Sequence, residues 1–241
     1  MELFYNENLS ANDESLIFGS EESRHMSKVL RKKVGELIYV TNGKGLEWKG
    51  QITSNDSRNA AAKKTEATLH QNKIVPLHIA IAPTKSIDRL EWFLEKATEI
   101  GVTEITPMLC DHSERKTLKP ERMKKILVGA LKQSAQYLLP QLNPMISFEA
   151  LMKFDQPQTK LIAHCQNGNR IPLHQIGDLN NEILIMIGPE GDFSIREIKT
   201  AQNHSFKAIT LSSQRLRTET AAIVACSQVA ILRDISKSKS L

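Results

Sequence analysis

Residues 183–193 read I-L-I-M-I-G-P-E-G-D-F, and residues 211–221 read L-S-S-Q-R-L-R-T-E-T-A. The apolar run 183–187 predicts a strand buried on both faces, and the glycines and proline after it predict a loop. Ser194 and Glu197 fit a capping box, so a helix should begin after Ser194. A second loop, 212–220, precedes an apolar helix. Loops that follow two strands and open two helices are typical of a ligand site in an α/β sheet.

The first loop does not match a common nucleotide motif. No Gly-Lys-Ser/Thr follows it, and it lacks the third glycine of the dinucleotide fingerprint. Gly188 and Gly191 alone are also compatible with a plain strand–helix turn. The carboxylate of Glu190 disfavours a phosphate and favours a ligand that is cationic or donates hydrogen bonds.

The second loop carries polar side chains that could bind a ligand or cap the helix that follows. Thr218 or Thr220 is a candidate cap for the next helix, and Glu219 is favourably placed against the dipole of that helix. The helix itself, A-A-I-V-A-C-S-Q-V-A-I-L, is apolar on nearly every face. Such a helix is buried in a core or in a subunit interface, and we therefore expect a dimer.

The rest of the chain of 241 residues divides near residue 73. Residues 1–72 contain short alternating runs around an Asn-Gly turn at 42–43, which is typical of a small β-barrel. Residues 73–241 begin with a strand at 76–83, a helix from the N-cap Ser86 to the C-cap Gly101, and a strand at 104–109. This order predicts a parallel sheet. A further helix is predicted at 120–139 and a strand at 160–165.

The net charge of +5 and the pI of about 9.0 are compatible with an ordinary basic protein or with a polyanion partner. Five cations lie within ten residues of the N-terminal region, and they form either a solvated helix face or a binding surface: Arg24, Lys28, Arg31, Lys32 and Lys33.

Several classes of protein are disfavoured by composition. The first eight residues lack the regions of a signal peptide, and no apolar run is long enough to span a membrane. The scattered cysteines Cys110, Cys165 and Cys226 form no C-x-x-C and fit a reducing cytoplasm. His164 and Cys165 have no further ligand at metal spacing, which favours a cofactor loop over a metal site. We therefore predict a cytoplasmic protein with neither metal nor membrane partner.

Taken together, the G-P-E-G-D-F motif at 188–193 and the L-x-x-x-R-L-R-T-E-T-A motif at 211–221 resemble the C-terminal signatures of the RsmE family. These are the ribosomal RNA small-subunit methyltransferases E of the SPOUT superfamily. The runs 85–102 and 113–115, the Gln-Ser pair at 133–134 and the H-x-x-x-V-L-R-x-x-x-G pattern at 25–35 match the family as well. The resemblance covers nearly the whole chain.

The resemblance implies a PUA-like β-barrel for RNA binding at 1–72 and a SPOUT-type α/β domain at 73–241, with a parallel sheet and a C-terminal trefoil knot. It also implies a homodimer that uses S-adenosylmethionine to methylate N3 of a uridine in 16S (small-subunit) ribosomal RNA. Naked RNA and the assembled small subunit both remain open as substrates. The alternatives are a non-catalytic RNA-binding ribosome assembly factor and a knotted methyltransferase of transfer RNA.

The resemblance also carries candidate site residues. Glu219 is a candidate base for the N3 proton, and Arg217 is a candidate for holding the uracil oxygen or anion. Their alternatives are a helix N-terminal carboxylate and a phosphate or dimer contact. The candidate cofactor residues are His164, Ile187, Gly188, Glu190, Gly191, Leu211, Ser212, Leu216, Arg217, Thr218 and Thr220. The candidate RNA contacts are Arg24, Lys28, Arg31, Lys32, Lys85, Arg115 and Lys116.

Three positions depart from the family pattern. Ser212 and Asp192 stand where members commonly carry glycine, and Gln136 stands where many carry arginine. If position 212 needs a positive φ, the serine there is strained or the loop differs.

Overall fold

A computed structural model describes residues 2–70, 75–153, 159–177, 179 and 181–238. The chain divides into two compact units, Met1–Lys73 with Val128–Leu139, and Ile74–Leu127 with Pro140–Leu241. The segment Val128–Leu139 thus groups with the N-terminal strands, although the sequence analysis placed it in the α/β domain. Backbone hydrogen bonds hold it there, from the Leu139 amide to the Gly43 carbonyl (2.8 Å) and from the Gly45 amide to the Tyr137 carbonyl (2.9 Å).

The first unit contains a five-stranded sheet around a small apolar core that includes Phe4, Met26 and Trp48. The sheet order is β1-β3-β4-β5-β2, in which β1 and β3 are parallel and the other pairs are antiparallel. Its strands are β1 (Leu3–Tyr5), β2 (Ser15–Ile17), β3 (Leu37–Thr41), β4 (Leu46–Ser54) and β5 (Ala61–Leu69). The predicted hairpin around the Asn-Gly turn is confirmed as β3 and β4.

The helical segment of the first unit has two parts. Helix α1 (Ser20–Arg24) continues into a π-helical turn, His25–Val29, in which the Leu30 amide bonds to the His25 carbonyl five residues earlier. Arg31 then adopts a positive φ of 53° and ends the helical segment.

The second unit is built on a sheet in which every strand pair is parallel. Its order is β11-β13-β10-β12-β6-β7-β8, with β9 also pairing with β7. The strands are β6 (Leu77–Ile81), β7 (Glu104–Leu109), β8 (Gln141–Leu142), β9 (Ile146–Ser147), β10 (Thr159–Ala163), β11 (Ile171–Pro172), β12 (Ile183–Ile187) and β13 (Lys207–Thr210). The predicted parallel sheet is confirmed, and β12 is buried along its whole length as expected.

Local helix signals are mostly confirmed. Gly101 has φ 96° at the predicted C-cap, and Ser194 and Glu197 form the predicted capping box. The helix expected at 120–139 ends earlier because Ala135 takes a positive φ of 53°. The remaining helices are α2 (Ile87–Ile100), α3 (Pro120–Gln133), α4 (Phe148–Lys153), α5 (Ile195–Asn203) and α6 (Thr218–Ser238).

Helix α6 is not buried on all sides, because Ile231 and Ile235 are 58% and 47% exposed. On its buried side, Arg233 donates hydrogen bonds to the carbonyls of four residues: Val75, Pro76, Leu179 and Asn181. Burial lowers the pKa of the Arg233 guanidinium below its ordinary value. The trefoil knot stays a prediction.

Candidate functional site

Three adjacent strands of the second unit end at the same level and open onto a cavity. Ala163 of β10 pairs in register with Ile187 of β12 and with Ile209 of β13. The loops that follow these strands enclose a cavity of about 950 Å³. Nine of the predicted cofactor residues line this cavity: His164, Ile187, Gly188, Glu190, Leu211, Ser212, Leu216, Arg217 and Thr218.

The Gly-Pro-Glu-Gly loop is held tightly at both of its glycines. A Cβ on Gly188 would lie 2.9 Å from the Phe193 ring, and the Gly188 carbonyl accepts a hydrogen bond from the Thr218 hydroxyl at 3.1 Å. Thr218 therefore joins the two loops instead of capping α6. A Cβ on Gly191 would lie 3.0 Å from that of His112, and Gly191 is absent from the described lining of the cavity.

A charged network fixes the start of α5 against the loop after β7. The buried Glu197 carboxylate accepts hydrogen bonds from the amides of Asp111 and Ser194, both at 2.9 Å. Asp111 in turn accepts from Arg196 at 2.7 Å and from the Ser194 hydroxyl at 2.6 Å. The Arg196 bond, followed by the Ser194 bond, lowers the pKa of Asp111, and the same contact raises the pKa of Arg196.

The loop after β6 is tied to this region by residues that the sequence analysis assigned to cofactor or RNA. Glu190 accepts a hydrogen bond from the Lys85 amide at 3.0 Å. The Lys85 ammonium lies 2.9 Å from the Glu114 carboxylate, and this contact raises the pKa of Lys85. The Arg115 guanidinium donates to the carbonyls of Thr84 and Lys85 at 3.0 and 2.6 Å. Both cations therefore already have partners in the fold.

The two departures from the family's glycines behave differently. Asp192 takes the left-handed conformation, with φ 65°, whereas Ser212 has no positive φ. The Asp192 carboxylate accepts hydrogen bonds from the amides of Cys165 and Phe193, both at 2.8 Å. The Ser212 hydroxyl accepts from the Gln214 amide at 3.1 Å. The condition for strain at Ser212 is therefore not met, and Asp192 is the position that favours glycine.

The two candidate catalytic residues occupy different environments. Arg217 is exposed and lines the cavity. Glu219 is only 6% exposed, one of its oxygens has no hydrogen-bond partner, and the other lies 3.7 Å from Arg89 Nε. Neither Glu219 nor Thr220 belongs to the described lining of the cavity. The structure thus brings one of the two catalytic candidates to the cavity and places the other inside the helix packing.

The loop after β10 brings further residues into the cavity wall. His164 is buried, and neither ring nitrogen makes a hydrogen bond of normal geometry. Burial lowers the pKa of His164, and the charge of Arg170 acts in the same direction. Arg170 lines the cavity and donates to the His164 carbonyl at 2.7 Å, but its buried Nε has no partner. Arg170 was not among the residues expected from the sequence, because nothing in the sequence showed that its Nε would be buried in a cavity wall.

The first unit has a basic groove of about 900 Å³ beside the π-helical turn. Of the predicted RNA contacts, Arg24 and Lys28 line it, and Arg58 from the turn between β4 and β5 joins them. The full lining is Ser20, Glu21, Arg24, His25, Lys28, Val29, Ser57 and Arg58. Lys32 is placed differently, 3.3 Å from both Glu2 and Glu36, and Arg31 is exposed but is not part of the described lining.

The sheet with its carboxyl-edge cavity belongs to an RNA methyltransferase, as two family models show. A family model described as an RNA methyltransferase domain matches residues 70–230, and one described as an RNA methyltransferase PUA domain matches residues 18–64. At the next level, the chain belongs to the ribosomal RNA small subunit methyltransferase E family.

Three relatives illustrate this similarity. The chain is 28% identical to ribosomal RNA small subunit methyltransferase E of Rickettsia conorii over 95% of both chains. It is 30% identical to that of Synechocystis sp., over 85% of this chain and 69% of the other. The structure of the enzyme from Neisseria gonorrhoeae bound to S-adenosyl methionine is 29% identical, with a TM-score of 0.86, over 96% of this chain and 98% of the other. The predicted family and the α/β fold class with a PUA-like domain are confirmed.

No helix among the described residues is long and apolar enough to cross a membrane. No group of three or more His, Cys, Asp or Glu side chains in this part of the chain could hold a metal ion.

Proposed function

We propose that this ribosomal RNA methyltransferase transfers the methyl group of S-adenosylmethionine to N3 of a uridine in small-subunit ribosomal RNA. The cavity at the ends of β10, β12 and β13 is the observation that carries the proposal. Its volume of about 950 Å³ lies in the range of small-molecule sites. Its His164 nitrogens, which make no hydrogen bond of good geometry within the chain, offer a bound nucleoside polar contacts. Bound there, S-adenosylmethionine would supply an electrophilic methyl group on its sulfonium.

The chain itself must bring a uracil ring to that methyl group and remove the N3 proton. The base must be unpaired or flipped out to present its N3 edge. Arg217 is the exposed cation at the cavity that would hold a uracil oxygen as negative charge develops. Glu219 would accept the proton, although it does not belong to the described lining of the cavity. The methyl–sulfur bond then breaks as the methyl–N3 bond forms.

The primary test measures the product. The purified protein is incubated with S-adenosylmethionine and small subunits that lack the mark, and the nucleosides are separated by mass spectrometry. We expect 3-methyluridine. Binding of S-adenosylmethionine without any 3-methyluridine would contradict the proposal, and absence of binding would favour the non-catalytic assembly factor. Methylation of transfer RNA but not of subunits would favour the transfer RNA enzyme. Running naked RNA and assembled subunits in parallel identifies the substrate.

The roles of Arg217 and Glu219 are separable by substitution. We expect Arg217→Gln and Glu219→Gln each to lower kcat by about 100-fold or more. Affinity for S-adenosylmethionine should be kept in Glu219→Gln, because Glu219 does not belong to the described lining of the cavity. If Glu219→Gln lowers the free energy of unfolding and leaves kcat unchanged, its role is structural and confined to the contact with Arg89.

We place RNA binding in the basic groove of the first unit. Its cations Arg24, Lys28 and Arg58 form no ion pair within 4.0 Å among the described residues. Replacing all three by glutamine should reduce the slope of log K against log salt by about 2 to 3. Lys64→Gln is the matched control, because Lys64 is already paired with Glu14 at 2.6 Å. An unchanged slope in the triple variant would remove RNA binding from this groove.

The homodimer is part of the proposal, as is the cytoplasmic location. Helices α2 and α6 pack against each other and expose three large apolar side chains: Trp92, Ile231 and Ile235. Large apolar side chains exposed on packed helices are candidates for burial by a second copy. Light scattering of Ile231→Glu/Ile235→Glu should report a monomer where the parent chain is a dimer. A monomeric parent chain would contradict the prediction.

A further inference from the structure

We propose that Arg170 and His164 bind the amino-acid end of the methyl donor, with Arg170 Nε donating a hydrogen bond to its carboxylate. This assignment rests on the proposed function, because it names a subsite within the same cavity. Arg170 belonged to neither the cofactor nor the catalytic residues expected from the sequence.

The first observation is a group of unsatisfied polar atoms in one wall of the cavity. Both ring nitrogens of His164 and Nε of Arg170 are buried and make no hydrogen bond of good geometry, although the backbone of Gln166 lies close enough to the ring to act toward raising the pKa of His164. His164 is only 7% exposed, and both residues line the cavity. Buried polar atoms are nearly always paired in folded proteins, and leaving them unpaired costs stability. Three such atoms on two neighbouring residues therefore indicate that a ligand completes their hydrogen bonds.

The second observation is that Arg170 is already held in position. Its Nη1 donates to the His164 carbonyl at 2.7 Å, which fixes the guanidinium beside the imidazole before any ligand arrives. A guanidinium can only donate hydrogen bonds, so the missing partner of Nε must be an acceptor. Among the groups of S-adenosylmethionine, the carboxylate is the only anion, and charge-assisted bonds from arginine to carboxylates are strong.

The remaining polar groups fit the other charge of the same ligand end. Burial keeps the pKa of His164 below its ordinary value, so the neutral ring offers one accepting nitrogen to an ammonium group. The carboxylates of Glu190 and Asp192 line the same cavity and would favour that positive charge. The wall thus presents a donor for the carboxylate and acceptors for the ammonium.

Two ligands that differ only at this end provide the test. S-adenosylhomocysteine carries the amino-acid end, and 5′-methylthioadenosine lacks it. Calorimetry with the full chain should show that Arg170→Gln weakens the binding of S-adenosylhomocysteine by about tenfold or more. The same variant should change the affinity for methylthioadenosine by less than about twofold. Lys199→Gln is the matched control, because Lys199 is exposed and is not part of the described lining of the cavity, and both affinities should stay unchanged.

The outcomes are separable. Equal loss for both ligands, or no loss for either, would overturn the assignment while leaving the proposed function intact. Failure of the parent chain to bind either ligand would contradict the proposed function and this assignment together. If Arg170→Gln does not fold, Arg170→Lys gives the same comparison, because lysine keeps the charge but cannot occupy the Nε and Nη1 positions together.

Discussion

The two sides of the carboxyl edge of the sheet differ in how their polar groups are satisfied. Beyond β7 and β12, Asp111, Arg196 and Glu197 all have hydrogen-bond partners within the chain. Beyond β10, His164 and Arg170 keep buried atoms without any partner. The network of these three residues is therefore scaffold, complete without a ligand, whereas the residues after β10 form a binding surface whose hydrogen bonds are completed only when a ligand binds.

The largest expected effect lies on the scaffold side. Glu197→Ala should lower the free energy of unfolding by about 3 kcal/mol, because the amides of Asp111 and Ser194 both lose their acceptor. Urea unfolding measures the loss. Glu149→Ala is the control: its exposed contact with Arg196 should contribute less than about 1 kcal/mol. Similar losses in the two variants would contradict the scaffold assignment.

Asp192 lies between the two regions, because its carboxylate bonds to one amide in the loop after β10 and to another in the loop after β12. Substitutions of Asp192 therefore test the connection between these loops. Asp192→Ala should lower the free energy of unfolding by about 2 kcal/mol, because the Cys165 and Phe193 amides lose their acceptor while the positive φ remains. Asp192→Gly loses the same bonds but relieves about 1 kcal/mol of backbone strain. Thermal unfolding should therefore rank glycine above alanine. The reverse order would show that the left-handed backbone at this position costs nothing.

The binding side should also be sensitive to pH. The pKa of His164 lies below its ordinary value of 6.5, chiefly because the ring is buried. Below about pH 6.5 the unfolded chain thus binds a proton that the folded chain does not. The free energy of unfolding should be level above pH 7 and should fall on acidification, by up to about 1.4 kcal/mol per pH unit for this residue. Urea titrations between pH 7.5 and 5 should show a shallower fall in His164→Leu, and identical slopes would contradict this.

The smallest expected effect is an increase in the free energy of unfolding. At pH 7.5, His164→Leu should raise the free energy of unfolding of the ligand-free protein by about 1 kcal/mol, because two unpaired nitrogens are removed. His78→Leu should lower it by about the same amount, since its Nε2 lies 2.7 Å from the Thr106 hydroxyl. Chemical denaturation of both variants provides the comparison. A loss in both would mean that His164 is satisfied in solution.

Much of the fold could be predicted because its signals are local. The apolar run that became β12, the capping box at Ser194 and Glu197, and Gly101 each specify a structure through their own chemistry. The two loops of the cavity followed from the strand ends. The polar strand β5 was missed because it has few buried side chains, as in the sequence A-A-K-K-T-E-A-T-L.

The features that could not be predicted from the sequence depend on contacts between residues that are far apart in the chain. The end of α3 depends on Ala135 and on the bonds that the following residues make to the turn at Gly43 and Gly45. The positive φ at Asp192 is tolerated because its carboxylate bonds to amides on two loops. Arg170 is informative only through its buried Nε, which has no partner within the chain. No spacing of residues encodes these facts, because each depends on a neighbour from another part of the chain.

Arg233 bears on the order in which the chain can finish folding during synthesis. Its backbone acceptors at Val75 and Pro76 lie 158 and 157 residues earlier in the chain. The first unit includes residues only up to Leu139, so it can be complete while the second is still being made. At ordinary rates of translation, Arg233 follows Leu139 by roughly 5 to 20 seconds. During that interval the residues that precede β6 lack the hydrogen bonds that Arg233 donates to the carbonyls of Val75 and Pro76.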